Sequence, residues 1–367
     1  MTIRKTKSKT NDNQEQGLRS NFEKTALYHK DVAQEIINMI EAGTAPWMQP
    51  WTGGLNLPHN GGSGRRYRGM NSLMLSYYSQ KKGYTDPRWY TFNQIKNAGA
   101  HLRKDEHGVK VEYWKFEKEI KLSDGTKAIE KLDPPRAFRA TVFNAEQAEG
   151  LPPYVKPELT WQPVERAEDV MKSVGVPIYH DQQDRNFYRP SSDEIHLTPK
   201  ESFKTEDAYY NVALHELSHS TGHESRLDRK IINGFGSEDY AREELRAEIA
   251  SYMLCSELGI STEANRGRNA AYVESWVQVL KEDPNEIFRA ARDAEAIAEF
   301  LFDKEKEYKK TLETGKETTG VKVVSDKCKT TEKSKVVSKA LKPKRRLLKR
   351  SEREQRHSRA TDMDMSL

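Results

Sequence analysis

Cysteine is nearly missing from this chain: Cys255 and Cys328 are the two among 367 residues, and the second lies in a polar, lysine-rich stretch. No disulfide framework can be read from them, which excludes the small cross-linked secreted folds and makes a reducing cytoplasm the expected compartment. Long apolar runs are missing as well. Nothing approaches the ~18 consecutive apolar residues of a membrane-crossing helix, so no membrane partner is expected. The amino terminus, "MTIRKTKSKTNDNQEQG", has basic residues but no apolar core after them, so no signal peptide is expected either. Hydrophobic residues in general are scarce, 35% against 32% charged. Globular chains run nearer ~45 to 50% and ~25%, and the difference implies that part of the chain stays outside any core.

The net charge of +5 conceals a division along the chain. Residues 51 to 115 carry 11 Lys+Arg against 4 Asp+Glu, residues 151 to 300 carry 17 against 28, and residues 301 to 367 return to 20 against 11. Such asymmetry bears on partners and points to a polyanion near the front.

The length suits two domains with extensions. Residues 1–22 are polar and aperiodic and read as a disordered arm. In "TALYHKDVAQEIINMIEAG" the positions Leu27, Val32, Ile36, Met39 and Ile40 recur at helical spacing, with Gly43 as the stop. Two more helices are predicted, one from Asn71 to Gly83 and a short one ending at Gly99. "VKVEYWKFEKEIKL" and "FRATVFN" read as strands, so residues 23–150 form an α+β domain. Proline clusters in "LPPYVKP" place a linker at residues 151–157. Residues 158–312 then open with a helix near Glu165 to Val174. A strand, turn and strand follow in "NFYRPSSDEIHL", and then mostly helices: about Glu206 to Thr221, about Glu238 to Leu258, and a set from Asn269 to Lys309. No aromatic residue follows Tyr308, and residues 313–367 read as a disordered basic tail.

The stretch "VALHELSHSTGH" falls on a predicted helix with Thr205 as N-cap, acids in the first turn and Gly222 as stop. His215 and His219 lie four apart and project from one face, where both can reach one ion, and Glu216 lies close enough to activate water. A helix merely rich in histidine is the competing reading. A catalytic zinc site needs a third protein ligand, and the next helix offers Glu244, with Glu248 one turn on to accept the N–H of a ligating histidine. Glu238 and Glu243 read as surface glutamates of that helix. His223 is a rival third ligand, but Gly222 should swing it away, and its spacing misses the H-E-x-x-H-x-x-G-x-x-H pattern, leaving it a hydrogen-bonding role in the loop. A site assembled this way would hold Zn2+ and hydrolyse amide bonds with Glu216 moving the proton. The donor that would stabilise an oxyanion is not identified; Tyr209, Tyr210, Tyr240 and Arg242 qualify by position in the chain.

The front half has the two things that hold a single strand of nucleic acid, positive charge for the backbone and aromatic faces for the bases. Trp47, Trp51, Arg65, Arg66, Tyr67, Arg68, Arg88, Arg103, Lys104, Lys110 and Trp114 are the candidate contacts. Glycines beside Arg65 to Arg68 would let the backbone approach phosphates. Trp89, Tyr90 and Phe92 read as core instead.

"APWMQPW", "GRRYRGMN", "GYTDPRWYTFNQIKNAGAHLRK", "HELSHSTGHESRLDR" and "FGSEDYAREELRAEIASYML" together resemble the ArdC-type antirestriction proteins of conjugative plasmids, over about Ala26 to Leu301. The resemblance implies an amino-terminal single-stranded-DNA-binding domain, shared with some plasmid primases, and a carboxy-terminal zincin-like metallopeptidase domain. It maps His215, Glu216 and His219 onto the family's H-E-x-x-H and the E-E-L-x-A-E segment onto Glu243 to Glu248. It also implies protection of incoming plasmid DNA from host restriction, with a restriction enzyme or another host protein as partner. Three functions stay open: a peptidase tethered to single-stranded DNA, a strand-coating protein with a structural metal, and a replication or primase accessory.

Overall fold

The computed structural model describes residues 5–49, 57–122, 126–156, 162–231, 236–261, 272–314 and 365–366, with side chains from Ser20 onward. Helix α1 (Lys5–Glu41) runs through part of the segment read as an arm. In its second half Val32, Ile36, Ile37 and Ile40 are buried. A 3-10 turn, Pro46–Met48, follows, then strand β1 (His59–Asn60) and helix α2 (Gly69–Lys82), which ends on Gly83 in the left-handed conformation. Strand β2 (Arg88–Thr91) leads into helix α3 (Phe92–Asn97), where Thr91 and Gln94 form a reciprocal capping box. Strand β3 (His101–Leu102), the long β4 (Val109–Lys121), β5 (Lys127–Asn144) and β6 (Ala148–Glu149) complete the front half.

The front sheet has the order β1-β2-β5-β4, and β4 and β5 continue beyond it as a two-stranded ribbon with a register shift between Lys115 and Glu117. Near the sheet the strands alternate buried Val109 and Val111 with exposed Lys110; further out both faces are exposed. The ribbon therefore leaves the core rather than covering it.

The second half opens with α4 (Pro163–Val174), then short strands β7 (Ile178–Tyr179), β8 (Phe187–Arg189) and β9 (Glu194–His196). Helices α5 (Glu206–Ser220), α6 (Glu238–Leu258), α7 (Val273–Glu282) and α8 (Glu286–Thr314) follow, and β10 (Met365–Ser366) pairs antiparallel with β8. No helix among the described residues is long and apolar enough to cross a membrane. This is the expected α+β class, with a mainly helical second half.

The two halves share one core. A single apolar cluster runs from Ile36, Trp47, Leu73 and Met74 in the front half to Leu217, Leu254, Trp276 and Leu301 in the second. Helix α1 packs on α7 and α2 on α8, while smaller clusters around Trp89 and Tyr90 sit under the front sheet. Trp89 and Tyr90 are buried as expected, but Phe92 is exposed because it opens α3 on its outer side.

Candidate metal centre

Helix α5 is buried almost all round from Tyr209 to Ser220. Such a helix lies in the middle of a fold rather than on its surface, which removes the reading of a solvent-facing helix rich in histidine. Thr205 caps it by accepting from Ala208 N at 3.1 Å. Gly222 follows the helix end as expected, although for a different reason: a Cβ there would lie 2.3 Å from Ile231 Cγ2, so the loop after α5 folds back too closely for any side chain.

Helix α6 begins at Ser237, which accepts from Tyr240 N at 3.1 Å, and packs along α5. Its small residues Ala241, Ala247 and Ala250 are buried and let the two axes approach. The packing brings His215, His219 and Glu244 together, with one donor atom from each inside 4.8 Å. The two Nε2 atoms are 3.1 Å apart, Glu244 Oε1 is 3.5 Å from His219 Nε2, and Glu244 Oε2 is 3.7 Å from His215 Nε2. Donors about 2.0 to 2.1 Å from a tetrahedral ion stand roughly 3.3 Å from one another, so the three sit at the right mutual spacing. Glu244 Oε2 is buried without a hydrogen bond, an expensive arrangement for a carboxylate oxygen unless something cationic meets it. The donor set fits a divalent metal.

Charge at the centre is shaped by burial and by carboxylates. Burial alone would push the His215 imidazole down, but Glu244, Glu248 and Glu216 outweigh it and hold its pKa up to about 9. Glu244 is held below the usual carboxylate range: burial opposes this, and His219 and His215 overcome it. Glu216 is wholly buried next to His215.

The surroundings differ from expectation in one respect. Glu248 Oε1 lies 3.8 Å from His215 Nδ1, beyond hydrogen-bond reach, whereas Glu243 Oε1 is 3.4 Å from His219 Nδ1. Glu243, read from the sequence as a surface glutamate, is 3% exposed. Arg229 explains this correction. It reaches from the loop after α5 to both Glu243 oxygens, at 2.6 and 3.2 Å, and also donates to Thr221 Oγ1 and Ser218 O. Burial would raise the Glu243 carboxyl, and Arg229 and His219 bring it down. Glu243, paired with Arg229, therefore fixes the orientation of the His219 ring.

His223 lies beyond the helix, half-buried, with Nδ1 2.8 Å from Ser225 Oγ, outside the cluster. Among the four oxyanion candidates, Tyr209 faces His180 and Tyr210 faces Glu168, while Arg242 pairs with Glu238 and Asp239 on the outside. Tyr240 alone of the four adjoins Glu244, and its hydroxyl is 3.1 Å from that of Tyr272.

The candidate strand-binding residues scatter. Trp47 is 4% exposed inside the shared core, held there by the turn that packs on α6, so its face is closed to a base. Trp51 lies outside the described residues. Arg66 pairs with Glu257 of α6 at 2.9 Å and Arg68 with Glu299 of α8 at 2.6 Å, so this basic loop docks on the acidic helices of the second half. Tyr67 is half-buried, and Arg65 is exposed. Arg88 is fixed by Asp86 and the carbonyl of Pro152, and Arg103 by Glu106 and the carbonyl of Glu146. Lys104, Lys110 and Trp114 are exposed. Sequence reading missed the neighbours of Trp114 on the ribbon, Tyr113, Phe116 and Phe138, all exposed. Their signal was three aromatics in "EYWKF", which alternation with charge made look like an ordinary strand.

A helix bearing H-E-x-x-H, a second helix supplying a glutamate and a small sheet beside them define a zincin-like metal centre. Residues 165–293 match the model of the zincin-like metallopeptidase family, and residues 26–143 match that of the N-terminal domain of anti-restriction factor ArdC. The antirestriction ArdC protein of the R388 plasmid, in metal-free form, is 35% identical with a TM-score of 0.62, covering 76% of this chain and 98% of that one. Its Mn(II)-bound form gives 0.60. An uncharacterized protein of Sinorhizobium fredii, y4eC, is 36% identical over 287 residues, 76% of this chain and 92% of its own. Two Escherichia coli proteins named DNA primase TraC are 49% and 47% identical, and the chain spans only 27% and 20% of their lengths. This chain belongs to the ArdC family of antirestriction proteins.

Proposed function

We propose that the protein binds single-stranded DNA entering by conjugation and carries a zinc-dependent peptidase centre that acts on a host restriction component. The reading of the centre rests on one observation: three donors from two helices at tetrahedral spacing, with the wholly buried Glu216 beside them. His215, His219 and Glu244 are the residues that would hold the ion. Zinc at this position would lower the pKa of a bound water towards ~7 and polarise a carbonyl. Glu216 accepts the proton of the attacking water on its carboxylate and returns it to the leaving amine. Glu243 and Arg229 keep His219 oriented. Tyr240 is the side chain placed to donate to a developing oxyanion.

Strand binding draws support from the family domain and from the ribbon. Tyr113 and Phe138 stack across β4 and β5 with centroids 5.7 Å apart, and Lys115 Nζ lies 5.1 Å from the Phe138 ring. Exposed aromatics beside lysines suit bases and phosphates together.

A second reading is favoured by the burial of the centre. His215, Glu216, His219 and Glu244 are all 0 to 3% exposed, which also suits a structural metal in a protein that protects by coating DNA. The primase name of the TraC relatives belongs to proteins of which this chain covers about a quarter, and nucleotide polymerisation is not part of the proposal. Glu216→Gln at equal metal content separates the two readings. Loss of hydrolysis of an unstructured protein substrate by 100-fold or more, with metal retained, supports the peptidase, general acid–base catalysis typically giving 10²–10⁴-fold. Absence of hydrolysis by the wild type contradicts it.

A further inference from the structure

Between the two halves lies a cavity of about 370 Å³, away from the metal centre. That volume falls at the lower end of the ~300 to 1,000 Å³ of small-molecule sites. One wall comes from the front half, with Arg68 and Gly69 at the start of α2 and Trp114 on the ribbon; the other comes from Asn285, Arg289 and Arg292 at the start of α8.

The floor is already organised. Glu112 accepts from Arg139 at 2.9 Å and meets His29 Nε2 at 2.9 Å, while His29 Nδ1 is 2.7 Å from Asn285 and its ring stacks on Phe288. Asn71 bonds both backbone groups of Glu112, at 2.6 and 3.0 Å. These groups are satisfied among themselves and make a rigid base.

The rim differs from the floor. Trp114 is 46% exposed, and the side chains of Arg68 and Arg292 are 68% and 72% exposed. Each guanidinium pairs with one acid, Arg68 with Glu299 and Arg292 with Asp293, and a guanidinium has five N–H donors, so donors are left over for a phosphate. A part-exposed indole lining the same cavity as two exposed guanidinium groups is the combination that takes a base and its phosphate. Trp114 lies on the same face of β4 as Glu112, opposite the Tyr113 and Phe138 pair, so the indole lines the cavity and the aromatic pair does not.

We infer that this cavity receives one nucleotide of a bound single strand, its base on the Trp114 indole and its phosphate at Arg68 and Arg292. The inference rests on the single-strand reading above and adds that the strand is held between the two halves, not on the front half alone.

The test uses the full chain with a dye-labelled twelve-residue oligothymidylate and the same oligomer carrying one 2-aminopurine. Trp114→Ala weakens binding about tenfold or more, in line with ~1 to 3 kcal/mol per stacked base. Trp114→Phe restores most of the loss. Arg292→Ala lowers the slope of log affinity against log salt by about 0.7, one phosphate on a single strand. The 2-aminopurine fluorescence is quenched by wild type and less by Trp114→Ala, whereas Lys306→Ala, exposed on α8 and outside the cavity, leaves the quenching unchanged. If wild type binds the strand and Trp114→Ala and Arg292→Ala match it in affinity and quenching, the cavity assignment is overturned and the single-strand reading stands. If wild type binds no single strand at low salt, both fall.

Discussion

Two adjacent glutamates on α6, Glu243 and Glu244, divide the work at the metal centre. Glu244 faces both histidines, and Glu243 reaches only the outer nitrogen of His219, where Arg229 keeps it charged. If Glu244 is the third donor, Glu244→Ala should abolish tight metal binding. Glu243→Gln keeps the shape but loses the charge that orients the ring, and should weaken metal affinity by about 10- to 100-fold. Elemental analysis and a competitive chelator titration read both, and equal affinity of Glu243→Gln and wild type would refute the orienting role. At this scale the sequence was legible where spacing alone decides. The grouping of His215, His219 and Glu244 follows from two histidines four apart on one helix and a glutamate on the next. Glu243 was not legible, because its partner Arg229 sits in a loop whose course depends on Gly222 and Ile231 meeting closely.

Among the elements, α8 ties the second half together. Arg166 of α4 bonds Glu305 of α8 through two nitrogens, at 2.9 and 3.1 Å, and the Glu305 side chain is 4% exposed. Burial would raise the Glu305 carboxyl, but Arg166 and Lys309 outweigh it and hold it below the usual range. Arg166→Ala should cost about 2 to 3 kcal/mol, less than the ~3 to 5 of a fully orphaned buried charge because Lys309 remains. A carboxyl lowered on folding contributes stability above its unfolded pKa of about 4.3, and that contribution is lost as pH falls through the folded value. The gap between wild type and Arg166→Ala in urea unfolding should therefore narrow as pH falls below about 4.3 and close through the lower folded value; a gap that stays constant over that fall would contradict the pairing. Elements with one buried face were read well, and α6 spans Glu238–Leu258 as its periodicity indicates. The ribbon was read short on its β5 side, because residues 127–136 cover no core and alternate nothing against anything.

For the molecule as a whole, the front sheet and the metal domain are two family segments on one core. Ile36 and Leu73 lie in the same apolar cluster as Leu254 and Trp276, and the basic loop at Arg66 and Arg68 is pinned to acids of α6 and α8. The charge division seen in the sequence, basic in front and acidic behind, serves this internal docking in part. A linker of prolines gave no sign of it. Heat should unfold the metal-loaded protein in one calorimetric transition with equal calorimetric and van't Hoff enthalpies. Two separated transitions would contradict a shared core.

In the function proposed above, the buried centre is a working peptidase site in a protein that also holds single-stranded DNA. The most direct measurement compares wild type and Glu216→Gln, at equal zinc content and equal single-strand affinity, for hydrolysis of a restriction enzyme and for protection of DNA from it. The variant should lose both while its metal and its DNA remain bound. Full protection by the variant, with the restriction enzyme intact in both reactions, would contradict it and leave protection to the coating of DNA.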